Sequence, residues 1–388
     1  MATVTLADME SKLLSMEELT NRLQKTEPLA TDRIDNESTI RFSFGQDWAH
    51  GLEAISGTET VGATMTINGT ERALTKEAAL QAGANFGLPA PYMRKIPAAF
   101  TERLLNYHYG PGMDSSTFNV LSVADNVAAF TRPTLRPFSN LRLLESLIEG
   151  INGIHGDVPI FADYKMGNSL LQTDVRLITP AIERHIVGGG MDDVPEGGDD
   201  TWLAGIHFRN SLVGKVQTSL ETYMFRYWCT NGATTTVPGI GGTWSRRSDG
   251  QDEGEMFEWA QGAVDEVLGS FDTLFDQVQA LTSLNVNGNT AEVLREIFEQ
   301  HEVPVSQRES IMRRLLAMEN ITMYSIMQAI TQVANEEDMD DRRRDRLMRI
   351  GGALPTKTFD TLKARVWREG HAAEPTSPNP YEPLVRVA

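Results

Sequence analysis

Hydrophobic and polar residues alternate with a period of two in several short segments of the first 240 residues. This pattern predicts strands with one buried face, and the intervening Asn-Gly and Asp-Asn pairs predict tight turns. The predicted strands and hairpins lie at residues 38–44, 63–74 (turn at 68–69), 118–131 (turn at 125–126), 158–179 (turn near 167–168), 202–212 and 216–237.

Other segments repeat their apolar residues at the helical spacing of three to four, and several follow a capping residue such as Thr75 or Ser139. The predicted helices lie at residues 6–24, 76–86, 98–109, 140–151, 255–284, 290–300, 306–318 and 322–337. The segment 255–284 is predicted as one helix with an apolar stripe along nearly all of its length. Such a stripe favours a shared interface in a homo-oligomer, with a private core as the alternative.

Strands interrupted by helices, followed by a run of helices, predict the α+β class. We expect an antiparallel sheet built from residues 118–131, 158–179 and 202–237, with the helix at 140–151 packed on it and a helical C-terminal region. The corresponding organisation is an N-terminal helical leader (1–37), an α+β core domain (38–240), a helical C-terminal region (241–370) and a flexible tail (371–388).

The composition indicates a folded, intracellular protein. Of the 388 residues 40% are hydrophobic and 23% are charged, and no apolar run approaches the roughly 20 residues that a membrane span needs. The start of the chain lacks the basic and apolar segments of a signal peptide. The single cysteine, Cys229, excludes an internal disulfide, and its position in a predicted strand favours a buried structural role over a catalytic one.

The net charge of −18 is unevenly distributed. Residues 251–300 carry eleven acidic residues and one basic residue, whereas residues 201–250 carry two acidic and five basic ones. The acidic segments can be solvated faces that keep the protein soluble, or they can flank a neutral-to-basic working surface.

The basic segment also carries aromatic residues, and single-stranded nucleic acid is bound by such mixtures because bases stack on rings while cations contact phosphates. The alternative interpretation is that the aromatic residues belong to the core. The candidate nucleic-acid-binding residues are Arg209, Lys215, Tyr223, Arg226, Trp244, Arg246 and Arg247.

Catalytic and cofactor motifs are absent from the sequence. We predict no catalytic residue, no cofactor and no metal site, because phosphate loops, HExxH and GxSxG are missing and no two histidines have metal-clip spacing. Paired aspartates at 192–193 and 199–200 could hold magnesium, and a metal-dependent enzyme using this loop is the least favoured alternative. Residues 310–333 are interpreted as a packing pair of helices, because the second one lacks the polar residues of a DNA-reading helix.

Four segments resemble the phage/plasmid-like protein family of unknown function. They are residues 74–97, 134–147, 206–234 and 323–338, and the block Arg226-x-x-Cys229-Thr230-Asn231-Gly232 is the most specific. The leader and the acidic loop at 190–200 depart from the family's pattern. The resemblance implies a mobile genetic element and the cytoplasm of a bacterial host.

The same block also suits tight turns. Asn210-Ser211 and Gly214 are predicted to join two strands, and Asn231-Gly232 is predicted to end the second of them.

The leading hypothesis is therefore a nucleic-acid-binding protein of phage DNA metabolism, with the single-strand annealing type as the specific candidate. We expect it to bind single-stranded nucleic acid as a homo-oligomer. The alternative is a non-enzymatic structural or interaction protein, such as a phage assembly or host-modulating factor, with the acidic helix 255–284 as its partner surface.

Overall fold

The computed structural model contains two antiparallel-rich sheets and a helical C-terminal region, which confirms the α+β class. It describes residues 9, 11, 13–25, 27, 30–34, 38–46, 48, 60–110, 117–123, 125–131, 133–135, 138–166, 172–187, 200–213, 217–226, 231–235, 243–246, 253–286, 290–316, 318, 321–336, 339 and 341–354. The predicted tail at 371–388 lies outside these residues.

The first sheet has the order β1-β5-β6-β4-β3-β2. Its strands are β1 (Ala30–Ile34), β2 (Ile40–Phe44), β3 (Thr60–Ile67), β4 (Thr70–Thr75), β5 (Phe118–Val123) and β6 (Asn126–Thr131). Both predicted hairpins form. Asn68 and Gly69 have φ of 48° and 87°, and Asp125 has φ of 65°, which is the left-handed region that two-residue hairpin turns use.

Helix α1 (Met16–Gln24) precedes this sheet, and three helices lie between its hairpins: α2 (Lys76–Ala84), α3 (Ala90–Met93) and α4 (Ala98–His108). Thr75 caps α2 as predicted, because its hydroxyl accepts a hydrogen bond from the Ala78 N–H. Strand β2 buries Phe42 and Phe44 in a core that also contains Leu105 of α4. Helix α4 therefore has one face against the sheet and one face outside.

The second sheet has the order β11-β10-β9-β8-β7, and β12 pairs with β10. Its strands are β7 (Phe161–Met166), β8 (Gln172–Ile186), β9 (Asp200–Ser211), β10 (Thr218–Arg226), β11 (Asn231–Thr235) and β12 (Thr243–Arg246). All of its strand pairs are antiparallel.

Two expectations about the sheets are wrong. The hairpin at 118–131 is not in the same sheet as the later strands, because β6 pairs in parallel with β4. Residues 216–237 do not form one strand, because β11 turns back and pairs with β10. Asn231 consequently begins a strand instead of ending one.

The described residues form seven further helices: α5 (Asn140–His155), α6 (Glu253–Gly269), α7 (Phe271–Thr282), α8 (Thr290–Gln300), α9 (Val305–Leu316), α10 (Met323–Ala334) and α11 (Asp341–Ala353). Ser139 caps α5 as predicted by accepting from the Arg142 N–H. Among the described helices none is both long and apolar enough to cross a membrane.

The segment predicted as one long helix is broken at Ser270 into α6 and α7. The Ser270 hydroxyl donates to the Val267 carbonyl at 2.8 Å and lies 3.0 Å from the Thr222 hydroxyl of β10. The break therefore lies where the helix pair meets the second sheet.

The apolar stripe of α6 and α7 is covered by its own chain. Five side chains of the stripe are fully buried in the described structure: Met256, Val264, Val267, Leu274 and Val278. Helix α6 packs on α5 and on strands β9 and β10, and α7 packs on β8 and α10. The stripe is thus a private core, and it gives no support to the predicted shared interface.

Helix α10 is the most buried of the described helices, and all of its residues except Gln332 are buried. It packs between α9 and α11. This confirms that the helices of residues 310–333 are a packing pair, because a helix buried in this way cannot enter a DNA groove.

The N-terminal segment is divided between the two sheets. Leu19 and Leu23 of α1 are buried in the core of the second sheet, whereas β1 is the edge strand of the first. Leu14 also bridges to Ala162 at the free edge of β7. Helix α1 and strand β1 therefore contribute to different cores, and the predicted domain boundaries themselves stay predictions.

Candidate nucleic-acid interface

Five of the predicted binding residues lie on strands of the second sheet, and the side chains of three of them are described. Arg209 lies on β9, and Tyr223 and Arg226 lie on β10. Lys215 and Arg247 lie outside the described residues. Trp244 and Arg246 belong to β12, but their side chains are outside what the structure describes.

Arg226 is an interior residue and is not a surface cation. Its side chain is fully buried, and its Nε donates to both carboxylate oxygens of Asp200 at 2.7 and 2.9 Å. The Tyr324 hydroxyl also donates to Asp200, and Trp202 Nε1 donates to the Tyr324 hydroxyl at 3.1 Å. Burial and the neighbouring Asp200 carboxylate hold the pKa of Tyr324 well above its usual range.

This cluster joins β9, β10 and α10, so its role is to fasten the buried helix to the sheet. Asp200 is also one of the paired aspartates that could hold magnesium in the predicted acidic loop. Instead it lies in a strand and its charge is compensated by Arg226. Its loop partners at 192, 193 and 199 lie outside the described residues, and no group of metal ligands occurs among the residues that are described.

The opposite face of the sheet carries an ordered set of charges. Arg176 of β8 faces His207 of β9, and His207 faces Glu221 of β10. His207 Nε2 lies 2.7 Å from the Asp174 carboxylate and Nδ1 lies 3.4 Å from Glu221. His207 is therefore held between two carboxylates.

Arginines complete this set, which we call the charged sheet face: Asp163, Asp174, Arg176, His207, Arg209, Glu221 and Arg349. Arg209 Nη2 lies 2.8 Å from Glu221, and Arg349 of α11 reaches the same carboxylate at 2.8 Å. The three carboxylates and three arginines of this described set compensate one another, and each of the three arginines lies against a carboxylate.

The carboxylates also determine the protonation of His207. Burial alone would lower the pKa of His207, but the charge of Asp174, the hydrogen bond that the imidazole donates to it and the nearby Glu221 carboxylate outweigh burial and raise this pKa. Burial would raise the pKa of Asp174, but His207 and Arg176 hold it well below its usual range. Both pKa shifts therefore favour an ion pair between protonated His207 and ionised Asp174.

Tyr223 belongs to the same face but is not available for stacking. It is only 2% exposed, and the Arg176 guanidinium lies 5.7 Å from its ring centroid. Its ring covers Gly205 of the adjacent strand, where an added Cβ would lie 3.0 Å from the ring. Tyr223 and Arg226 are therefore corrected from binding residues to interior ones.

Asn210 is likewise not a turn residue. It is fully buried near the end of β9, and its Nδ2 donates to the Phe138 carbonyl and to Asn140 Oδ1, both at 2.8 Å. Its Oδ1 accepts from the Thr218 hydroxyl at 2.8 Å. Asn210 thus ties two strands to the start of α5.

A different surface combines exposed rings with exposed cations. Tyr92, Phe100 and Tyr107 are 46%, 49% and 64% exposed, and these are the exposed large aromatic residues among those described. We call the exposed residues of this segment the α3–α4 surface: Tyr92, Arg94, Lys95, Phe100, Arg103 and Tyr107. No ion pair involves its three cations among the described residues, although the chain as a whole is strongly acidic.

Helix α4 presents this surface because its other side is fixed to strand β2. Asn106 Oδ1 accepts from the Phe42 N–H at 2.6 Å, and its Nδ2 donates to the Phe42 carbonyl at 2.9 Å. Glu102 accepts from the Phe44 N–H at 3.2 Å. Strand β2 is an edge strand, so these side chains satisfy backbone groups that the sheet leaves open.

Tyr107 is supported by neighbouring rings. It meets His108 edge to face with centroids 5.5 Å apart, and His108 stacks on Phe86 at 4.7 Å. Phe86 in turn packs on the buried ring of Tyr109 at 4.5 Å. The exposed ring of Tyr107 is therefore anchored to the core of the first sheet.

The sequence contains a signal for this surface. Phe100, Arg103 and Tyr107 have the spacing i, i+3, i+7, which places them on one side of a helix. The concentration of aromatic residues at 223–228 drew the prediction to the second sheet instead. The two segments differ in the exposure of their aromatic rings. This exposure depends on tertiary packing, which the local sequence does not determine.

Comparison of the chain with protein-family models, with curated proteins and with solved structures found no match in any of the three.

Proposed function

We propose that this protein binds single-stranded nucleic acid through the α3–α4 surface. The observation that carries the proposal is the presence of three exposed aromatic rings and three exposed cations on one short segment of an acidic chain. Unpaired bases stack on such rings, and arginine and lysine contact the phosphates between them.

The charge of the chain favours single strands over duplexes. The protein carries a net charge of −18, which opposes contact with the broad phosphate surface of a duplex. Stacking compensates for the small number of cations, and only an unpaired strand offers free base faces. Binding is therefore expected to depend on the rings at least as much as on the charges.

A fluorescence anisotropy titration with a labelled oligothymidylate tests this proposal. With three phosphate contacts, the affinity should fall by about 20-fold between about 50 mM and about 200 mM salt. Tyr107→Ala should weaken binding by roughly 5-fold to 150-fold, since each stacked base contributes about 1–3 kcal/mol.

Leu316→Ala is the matched control, because Leu316 is another exposed apolar residue and lies on α9, away from the α3–α4 surface. It should leave the affinity unchanged. Failure of the unaltered protein to bind at the lower salt, or an equal loss in both variants, would reject the proposal.

The wider context is proposed from the resemblance of four segments to the phage/plasmid-like family. It favours a role in phage DNA metabolism, with single-strand annealing as the specific activity, in the cytoplasm of a bacterial host and as a homo-oligomer. Annealing of two complementary labelled strands, followed by fluorescence quenching, tests this role separately from binding. A protein that binds single strands but does not accelerate their pairing would keep the binding proposal and lose the annealing one.

A second candidate is an interaction protein that uses the acidic surface of α6 and α7. This surface is supported by six exposed acidic residues: Glu255, Glu258, Asp265, Glu266, Asp272 and Asp276. Of these, Asp272 pairs with Arg184. Recovery of the same protein partner before and after nuclease treatment, and its loss when Glu258 and Asp265 are changed to Ser, would favour this function.

A further inference from the structure

The α3–α4 surface has a geometry that determines how much of a strand it can engage. Phe100 and Tyr107 lie seven residues apart on α4. At 100° and about 1.5 Å per residue, their side chains point in nearly the same direction and are separated by about 10 Å along the helix axis. A single strand laid along the helix can therefore contact both rings at once.

Arg103 lies between the two rings in sequence but not on the line that joins them. Its position is three residues after Phe100 and four before Tyr107, which displaces it to one side of that line. Bases and phosphates are also displaced from each other in a single strand, since the bases project sideways from the backbone. Arg103 is thus positioned for a phosphate while the rings take bases.

Stacked nucleotides advance by about 3.4 Å each, so about 10 Å corresponds to three steps. We infer that the α4 part of this surface takes a footprint of four nucleotides, with Phe100 and Tyr107 stacking on the first and fourth bases and Arg103 contacting a phosphate between them. This inference rests on the proposed function. A longer footprint on α4 is excluded, because any stretching of the strand reduces the number of nucleotides between the rings.

Ring contacts on the Tyr107 side support this arrangement. The Tyr107 ring meets His108 edge to face, and His108 stacks on Phe86, so these contacts favour one direction of the Tyr107 side chain. Stacking on a preformed pair of rings loses less conformational freedom than stacking on two mobile ones.

A series of oligothymidylates from two to eight nucleotides, titrated against the unaltered protein, tests the inference. The affinity should increase most steeply on reaching four nucleotides, and any later increase, from contacts with Tyr92, Arg94 and Lys95, should be smaller. In Tyr107→Ala the steep increase at four nucleotides should disappear, because only one ring of the pair remains. Arg103→Ala should weaken the four-nucleotide complex and reduce its salt dependence, and Arg295→Ala on α8 is the exposed control.

The outcomes separate the inference from the proposed function. A steep increase at six or eight nucleotides, or the same length dependence in Tyr107→Ala, would overturn the four-nucleotide footprint while leaving single-strand binding intact. No binding of any length would overturn both. Circular dichroism of each variant checks folding, and a change in oligomeric mass caused by Phe100→Ala would instead identify the surface as a protein contact.

Discussion

At the residue scale, the structure combines caps and turns formed by near neighbours with ion pairs between residues far apart in the chain. The caps Thr75 and Ser139 and the turn at Asn68-Gly69 were predicted because each depends on neighbours within a few positions. The pairing of Arg226 with Asp200 joins residues 26 positions apart, and nothing in their local sequence indicates it. The prediction that Arg226 binds nucleic acid was wrong. An arginine suits a buried carboxylate as well as a phosphate, and the local sequence does not show which of the two it meets.

The contact of His207 with Asp174 predicts a pH-dependent stability. Since the folded pKa of His207 is raised above its unfolded value of about 6.5, its stabilisation is complete below about pH 6.5 and is lost as the pH rises through the folded pKa. For Asp174, whose folded pKa is lowered, the stabilisation is present above about pH 4 and is lost in more acidic solution.

Urea unfolding of His207→Gln between about pH 5 and pH 9 checks this expectation. The variant should be less stable than the unaltered protein at pH 6, and the difference should shrink as the pH rises. His185→Gln, at a partly exposed histidine, is the control. Stability curves that stay parallel at all pH values would mean that the ion pair with Asp174 does not form.

Gly205 predicts a sharp steric limit in the centre of the second sheet. A Cβ at this position would lie 2.5 Å from the Leu177 carbonyl oxygen and 3.0 Å from the Tyr223 ring, and the backbone oxygen cannot move aside. Gly205→Ala should therefore reduce the free energy of unfolding by about 1–3 kcal/mol or more. Gly262→Ala is the control, since nothing lies within 4 Å of its added Cβ, and it should be neutral or stabilising in thermal unfolding.

At the element scale, most helices and strands were predicted, but their ends and their pairing were less predictable. The periodicity of residues 255–284 continues through Ser270, so the sequence pattern alone does not reveal the break between α6 and α7. Residues 216–237 have a continuous β-rich composition. Only the pairing of β10 with β11 shows that this segment contains two strands. In both cases the deciding contacts come from another element.

Asn106 of helix α4 protects the open edge of strand β2. Its amide satisfies the N–H and the carbonyl of Phe42 on the edge strand β2. Asn106→Ala should destabilise the protein by about 1–3 kcal/mol, because buried backbone groups lose their partners, and it should increase aggregation through the open edge. Hydrogen exchange at Phe42 gives the direct measurement. Unchanged protection of the Phe42 amide would contradict this role of α4.

At the scale of the whole molecule, the α+β class was predictable and the division into two sheets was not. The parallel pairing of β4 with β6 places the hairpin at 118–131 in the first sheet, and it joins strands separated by more than forty residues. A small contact of Leu121, Ala128 and Ala129 with Leu212 connects the two sheets. Alternation of apolar and polar residues predicts strands, but it carries no information on which strands pair.

The position of the α6–α7 stripe gives a prediction for the whole chain. Val267 and Leu274 are fully buried within one copy, so Leu274→Ala should destabilise the protein by about 2–5 kcal/mol without changing its mass in solution. If the stripe were instead an interface, the same substitution would dissociate an oligomer, and the unfolding midpoint would depend on protein concentration. Urea unfolding at two concentrations a hundredfold apart, combined with light scattering, distinguishes these cases. A midpoint that is independent of concentration, together with an unchanged mass, is expected, and any oligomer would then have to assemble through another surface.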